Sequence, residues 1–299
     1  MPSAPAIVAG LALQSMAMAM LDVAINLYML DHIPRRELNT FEPRRLLFTG
    51  TTFALGPWLG VYLNVHAYVN SSFVIAGLSA LSLLIFFWVL RLSDHSAVRT
   101  TGAPSPSPLK SIPRFVAQKR LLLAWFLALG RNGWWVMNFI YTPIYVARAG
   151  FSPEAGGGLV SLGLVAMLLV RVWGRLGGRI GIRNVLSIGY GLTGCFSLIA
   201  SALAFAGYTI PCMVALWAAA VSATVIDGAG NVPFFRAVHH YERAEMTSVF
   251  MTFRHVGSLV VPGVLAVVLW FFPLPAVFAV GGLLVLTMAW LSRLLPRGL

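Results

Sequence analysis

Long apolar stretches fill this chain and short polar gaps separate them. Nine stretches can be read: residues 4–30, 46–68, 72–90, 121–146, 156–172, 185–206, 210–235, 247–270 and 274–291. A helix needs roughly 20 apolar residues to cross the hydrocarbon core of a bilayer. Lipid offers no partner for backbone N–H and C=O groups, so a crossing segment must be a helix or part of a closed barrel. Barrel strands are shorter and alternate polar with apolar, whereas these runs are long and continuous. The pattern predicts an all-α polytopic membrane protein with nine transmembrane helices.

The charges then orient the spans. Of the 21 lysines and arginines, all but three fall after the first, third, fifth, seventh and ninth stretches. The first gap holds Arg35, Arg36, Arg44 and Arg45. The third holds six basic residues between Arg91 and Arg120, and the fifth holds Arg171, Arg175, Arg179 and Arg183. Arg148 is the basic residue in the alternate gaps, while Arg131 and Arg254 lie inside spans. Basic loops stay on the cytoplasmic side, which predicts the N-terminus outside and the C-terminus inside. A net charge of +12 otherwise suggests a nucleic-acid surface, but such a surface would not be divided among loops in this way. No nucleic-acid partner is expected.

Composition adds less. Charged residues are 10% of the chain, too few for an ordinary soluble domain. Cys195 and Cys212 both fall inside predicted spans and read as small packing residues. The one linker-like stretch, residues 93–113, is rich in proline and serine and reads as an extended, solvated connector. His239, His240 and Glu242 read as a solvated loop, because their spacing suits no metal. The Gly156-Gly157-Gly158 run suggests close helix approach. No phosphate-binding loop G-x-x-x-x-G-K-[ST] is present, and no clustered catalytic set marks an enzyme. No cofactor or metal is implied.

The chain also carries an internal echo. One offset maps Asp22 onto Asp227, Asn26 onto Asn231 and Pro57 onto Pro262. Each Asp–Asn pair is spaced i, i+4 and so shares a helix face. Internal repeats are common in secondary transporters. On this reading the first three spans mirror the last three, and spans four to six have no counterpart. The expectation is a longer molecule with about 85 further residues upstream, enough for three more helices.

With these features in view, the chain resembles the major facilitator superfamily of secondary transporters. Between the fifth and sixth stretches, Gly174, Leu176, Arg179, Gly181 and Arg183 match that family's signature loop G-x-L-a-D-R-x-G-r-[RK], with Gly178 where the acid normally stands. In the second stretch, Gly56-Pro57-Trp58-Leu59-Gly60 is similar to the Gly-Pro signature associated with the family's exporters. The resemblance implies family helices 4 to 12. Residues 1–92 would be an incomplete N-terminal half of three spans, 93–119 the cytoplasmic central loop, and 120–299 the six-helix C-terminal half.

The same resemblance implies a cytoplasmic latch built on Gly174, Leu176, Arg179, Gly181, Arg183 and Asp227, with Asp227 ionised and paired to Arg179 or Arg183. The alternative is a tight turn with arginines as topology anchors. Asp22, Asn26 and Asn231 are the repeat-matched residues, and Asp22 would lack a partner. In the fourth stretch Arg131, Trp134, Trp135, Asn138, Tyr141 and Thr142 recur at helical spacing. Arg131 lies about 15 Å from the end of its span, too deep for easy snorkelling. Arg131, Trp134, Trp135, Asn138 and Tyr141 are therefore the candidate substrate cavity, suited to an anionic or zwitterionic organic solute. The other reading pairs Arg131 with a carboxylate on a missing helix. Arg254 and His255 are further intramembrane polar residues, open to substrate, proton or structural roles.

The expectation for function is secondary-active transport of a small organic solute by alternating access, with export as the direction the Gly-Pro element suggests and a proton as the candidate coupling ion. The competing reading is a truncated, transport-incompetent remnant, or a chain whose missing helices come from an upstream segment or a second chain. The expected location is a cell membrane, the bacterial inner membrane first, with the lipid bilayer as partner.

Overall fold

A computed structural model describes residues 9–10, 13–14, 16–18, 20–21, 35–67, 71–89, 108–169, 172–173, 179–239 and 242–296. Among these the regular structure is helical, with no strand. In chain order the helices are α1 (Arg35–His66), α2 (Ser71–Val89), α3 (Pro108–Ala117), α4 (Lys119–Arg148), α5 (Pro153–Val165), α6 (Ile182–Phe205), α7 (Thr209–Ala229), α8 (Val232–Ala237), α9 (Arg243–Phe271) and α10 (Pro275–Ser292). A 3₁₀ turn, Ala166–Leu169, continues α5. Asp22, Asn26, Gly174 and Leu176, all singled out from the sequence, lie outside the described residues.

Among the described residues, four helical segments are long and apolar enough to cross a membrane by length and composition: Ile182–Phe205, Thr209–Ala237, Glu245–Phe271 and Pro275–Ser292. Helix α4 has the length, at 30 residues, but Arg131, Asn132 and Asn138 lower its apolar character. Phe73–Phe86 and Pro153–Leu169 are shorter apolar helices.

The chain divides into two compact units, residues 1–48 with 73–105 and residues 49–72 with 106–299. In the first, the described part of α2 presents large apolar side chains such as Phe73, Leu84 and Trp88 outward. In the second, α6 packs against both α7 and α10, while α4 lies against α5, α9 and α10. The interior is lined with small residues. Ala219, Ala220 and Ala223 on α7 are buried, whereas Leu259, Trp270 and Trp290 point outward. Large apolar groups outside and small ones between helices is the arrangement expected where lipid is the solvent and close backbone packing holds helices together.

Glycines serve this packing. A Cβ on Gly157 would sit 2.9 Å from the carbonyl oxygen of Pro57, and one on Gly156 would sit 2.8 Å from Pro143 Cα. The triple glycine thus lets α5 approach α1 and α4, as its sequence suggested. At that contact the backbone N–H of Trp58 donates to Ser161 Oγ at 3.1 Å. Helices α4 and α6 end in left-handed glycines, Gly150 at φ 89° and Gly207 at φ 81°. After α6, Tyr208 N–H returns to the Leu203 carbonyl, satisfying a carbonyl the helix would otherwise leave open.

The proline-rich stretch departs from expectation. Its last residues are helical, because α3 begins at Pro108 and carries Pro113 inside it. Proline is tolerated at a helix start, where its missing N–H has no partner to lose. Pro113 does forgo one backbone bond. The compensation is tertiary: Phe115 is buried among Leu121, Phe234, Phe250 and Phe253.

Candidate functional site

Helix α4 carries its polar residues at i, i+4 and i+7: Arg131, Trp135 and Asn138. All three are buried. Facing them is the end of α7. The seventh apolar stretch forms one membrane-length segment, Thr209–Ala237, interrupted by a turn at Gly230 and Asn231 between α7 and α8. Pro233, at the start of α8, cannot supply the N–H that would continue α7. The Ala229 carbonyl thus loses the helical partner that position 233 would supply, and a helix C-terminus carries partial negative charge. A cation belongs there, and Arg131 supplies it.

The contacts are specific. Arg131 Nε lies 3.4 Å from Asp227 Oδ1, with side-chain exposures of 10% and 16%. Arg131 Nη2 donates to Asn231 Oδ1 at 3.0 Å. Trp135 Nε1 donates to the other carboxylate oxygen, Asp227 Oδ2, at 3.0 Å. The guanidinium also lies 5.8 Å from the centre of the Phe253 ring on α9, within cation–π range. A Cβ on Gly230 would overlap Arg131 Nη1, so the backbone lies directly against the cation and any side chain there would displace the guanidinium.

This corrects the expected latch. Among the described residues, Asp227 pairs with Arg131 and not with Arg179 or Arg183. The sequence reading assigned Asp227 to the nearest basic loop. The structure instead satisfies a half-buried acid with Arg131, a buried arginine on a facing helix, and neither charge is left alone in an apolar medium. Arg183 lines a separate groove with Asn184, Ser187 and Arg293. Arg179 is exposed. Gly181 adopts φ 83° directly before α6, a conformation that favours glycine.

The other candidates separate. Trp134 turns away from the cluster and donates from Nε1 to Ser197 Oγ on α6 at 2.9 Å. Tyr141 is buried in the main apolar core. Asn138 Oδ1 accepts from Thr142 Oγ1 at 2.8 Å, while Asn138 Nδ2 is buried with no hydrogen-bond partner. A buried amide donor left open is costly by about 1–3 kcal/mol and marks a place where a ligand acceptor would be welcome. Of the repeat-matched residues, Asn231 joins the cluster. Arg254 and His255 lie on the exposed side of α9. Arg254 reaches over Phe253 at 6.0 Å, and its carbonyl accepts from Asn132 Nδ2 at 3.3 Å.

A second polar cluster was missed. Glu242, read as part of a solvated loop, is buried. Arg114 Nη2 on α3 pairs with Glu242 Oε1. Gln118 Nε2 donates to Glu242 Oε2 at 3.0 Å. Arg114 Nη1 reaches Glu245 Oε2 at 3.3 Å. Helix α3 is thereby tied to the start of α9 by charge as well as by Phe115. The amphipathic placement of Phe115 between Arg114 and Gln118 was the available signal.

None of the curated proteins matches the chain. The family comparison is positive: residues 1–262 match the Major Facilitator Superfamily. That match, over an all-helical chain with membrane-length apolar helices and a buried ion pair between them, shows that the chain belongs to the Major Facilitator Superfamily, whose members carry small solutes across membranes.

Proposed function

We propose that this protein is a secondary-active transporter that moves a small zwitterionic organic solute by alternating access, and that Arg131 and Asp227 form its polar centre. The observation that carries this reading is the Arg131–Asp227 pair at the break after α7, with the unpartnered Asn138 amide one turn along the stripe from Trp135. Discontinuous helices with polar groups near the midplane are the usual setting of transporter sites.

The pair also narrows the solute. Arg131 alone would suit an anion. With Asp227 against it the centre is balanced, and a solute bearing both charges replaces both partners at once. A simple anion would leave Asp227 unpaired, at a cost of several kcal/mol. Trp135 and Phe253 supply aromatic surface for an organic body. A proton delivered to Asp227 releases Arg131 without leaving a bare carboxylate, and this is the coupling step we assign. The Gly56–Gly60 element supports export as the direction. The loop charges support nine spans with the N-terminus outside, and the superfamily membership supports an N-terminal half and central loop before the C-terminal half at 120–299.

The test is a panel of zwitterionic, anionic and cationic organic solutes. Each is scored by thermal stabilisation of the purified protein, and hits are then assayed for flux in proteoliposomes under an imposed pH gradient. Zwitterions should stabilise the wild type and not Asp227→Asn. Stabilisation by simple anions alone, unchanged in Asp227→Asn, contradicts the reading.

A further inference from the structure

A groove of about 910 Å³ opens at the arginine- and lysine-rich end of the second unit, lined by none of the residues of the Arg131 cluster. Its mouth is formed by Lys119, Arg120 and Arg236. All three are exposed, and among the described residues none of them pairs with a carboxylate. Its inner wall is apolar, with Leu122, Leu123 and Phe126 on α4 and Leu294 after α10. Phe126 is 41% exposed and Leu294 60% exposed, so this wall is open rather than closed by protein.

The order of these residues matters. Lys119, Leu122, Leu123 and Phe126 follow i, i+3, i+4 and i+7, one stripe of α4. Seven residues of helix rise about 10 Å. One face therefore passes from a cation at the helix start to bare apolar surface about 10 Å deeper. Arg236 closes the mouth from α8, where Pro233 also lines the groove.

We infer that this groove binds one anionic glycerophospholipid, with the phosphate held among Lys119, Arg120 and Arg236 and the start of an acyl chain along Leu122, Leu123 and Phe126. Three converging cations select the negative headgroup, and the apolar wall selects a lipid over a free phosphate ester. The inference rests on the membrane reading of the chain but not on the solute assigned to Arg131. Because α4 and α8 both border the groove and both flank the Arg131 cluster, an occupying lipid braces the two elements that hold the polar centre.

The experiment is native mass spectrometry of the full chain in mild detergent with phosphatidylglycerol, phosphatidylcholine or inorganic phosphate added. One phosphatidylglycerol should stay bound under activation that strips phosphatidylcholine. Neutralising each cation (Lys119→Gln, Arg120→Gln, Arg236→Gln) should weaken retention by about fivefold, near 1 kcal/mol per charge at a membrane surface. Arg148→Gln, at the far end of α4, should change nothing. Should the triple variant aggregate, the single variants carry the same comparison. Equal retention of the two lipids, undiminished phosphatidylglycerol binding in the neutralised variants, or its displacement by inorganic phosphate would each overturn the assignment.

Discussion

Arg131 on α4 and Asp227 on α7 meet at 3.4 Å, both nearly buried, and each supplies what the other needs in an apolar medium. Their environment is shared. Trp135 donates to the carboxylate, Asn231 accepts from the guanidinium, and the backbone at Gly230 lies against the cation. Removing one partner leaves an uncompensated buried charge, a loss of about 3–5 kcal/mol. Arg131→Gln and Asp227→Asn should each lower thermal stability by that order. The double variant should recover most of the loss, because two neutral amides remain. Thermal unfolding of the three purified variants gives the coupling energy directly.

Gly230 tests the same geometry from the backbone side. A methyl there would overlap Arg131 Nη1 and push the guanidinium from Asn231. Gly230→Ala should leave expression and helical content near wild type, while solute flux falls by tenfold or more, since displacements of about 1 Å at a polar site can cost about 100-fold. Proteoliposome initial rates, normalised to reconstituted protein, check it.

The α3 tether should be separable from transport chemistry. Arg114 is 55% exposed and Glu242 8% exposed, so solvent screens part of their attraction. Arg114→Ala should cost about 1 kcal/mol. Glu242→Ala, which also frees Gln118, should cost slightly more. Both losses should shrink in high salt. Thermal melts at low and high ionic strength measure the difference.

The α1–α5 contact has no room for a side chain. Gly157→Leu drives a large group into the Pro57 carbonyl, which a Cβ alone would approach to 2.9 Å. We expect a destabilisation of about 1–3 kcal/mol or more. Gly158→Ala, whose Cβ would rest 3.7 Å from Trp58 Cδ1, should be near neutral. Comparing the two melting temperatures isolates the contact.

Much of this was legible in the residues. Apolar run length announced a helical membrane chain, and the i, i+4, i+7 stripe picked out Arg131, Trp135 and Asn138. Glycine spacing announced the tight approach at Gly156 and Gly157. The partner of Asp227 was not legible from local spacing, because α4 and α7 meet only through tertiary packing. One signal was present all the same: Arg131 and Asp227 are a cation and an acid both placed inside apolar stretches, and charges so placed seek each other. The break after α7 was also signalled by Gly228, Gly230 and Pro233 in quick succession. Trp134 shows the limit of periodicity. It adjoins Trp135 in the chain, yet the helix turns it toward Ser197. Helix α3 was hidden by its prolines, since what offsets the bond Pro113 gives up, the burial of Phe115 and the pairing of Arg114 with Glu242, is tertiary.

The central claim is that Arg131 and Asp227 transport solute rather than merely brace the helices, and the double variant Arg131→Gln/Asp227→Asn addresses it most directly. Reconstituted in proteoliposomes beside the wild type, it should be monodisperse, melt within a few degrees of it, and show no gradient-driven flux of the solute identified by the stabilisation panel. A double variant that carries that solute at the wild-type rate would show the pair to be a structural strut and would contradict the account.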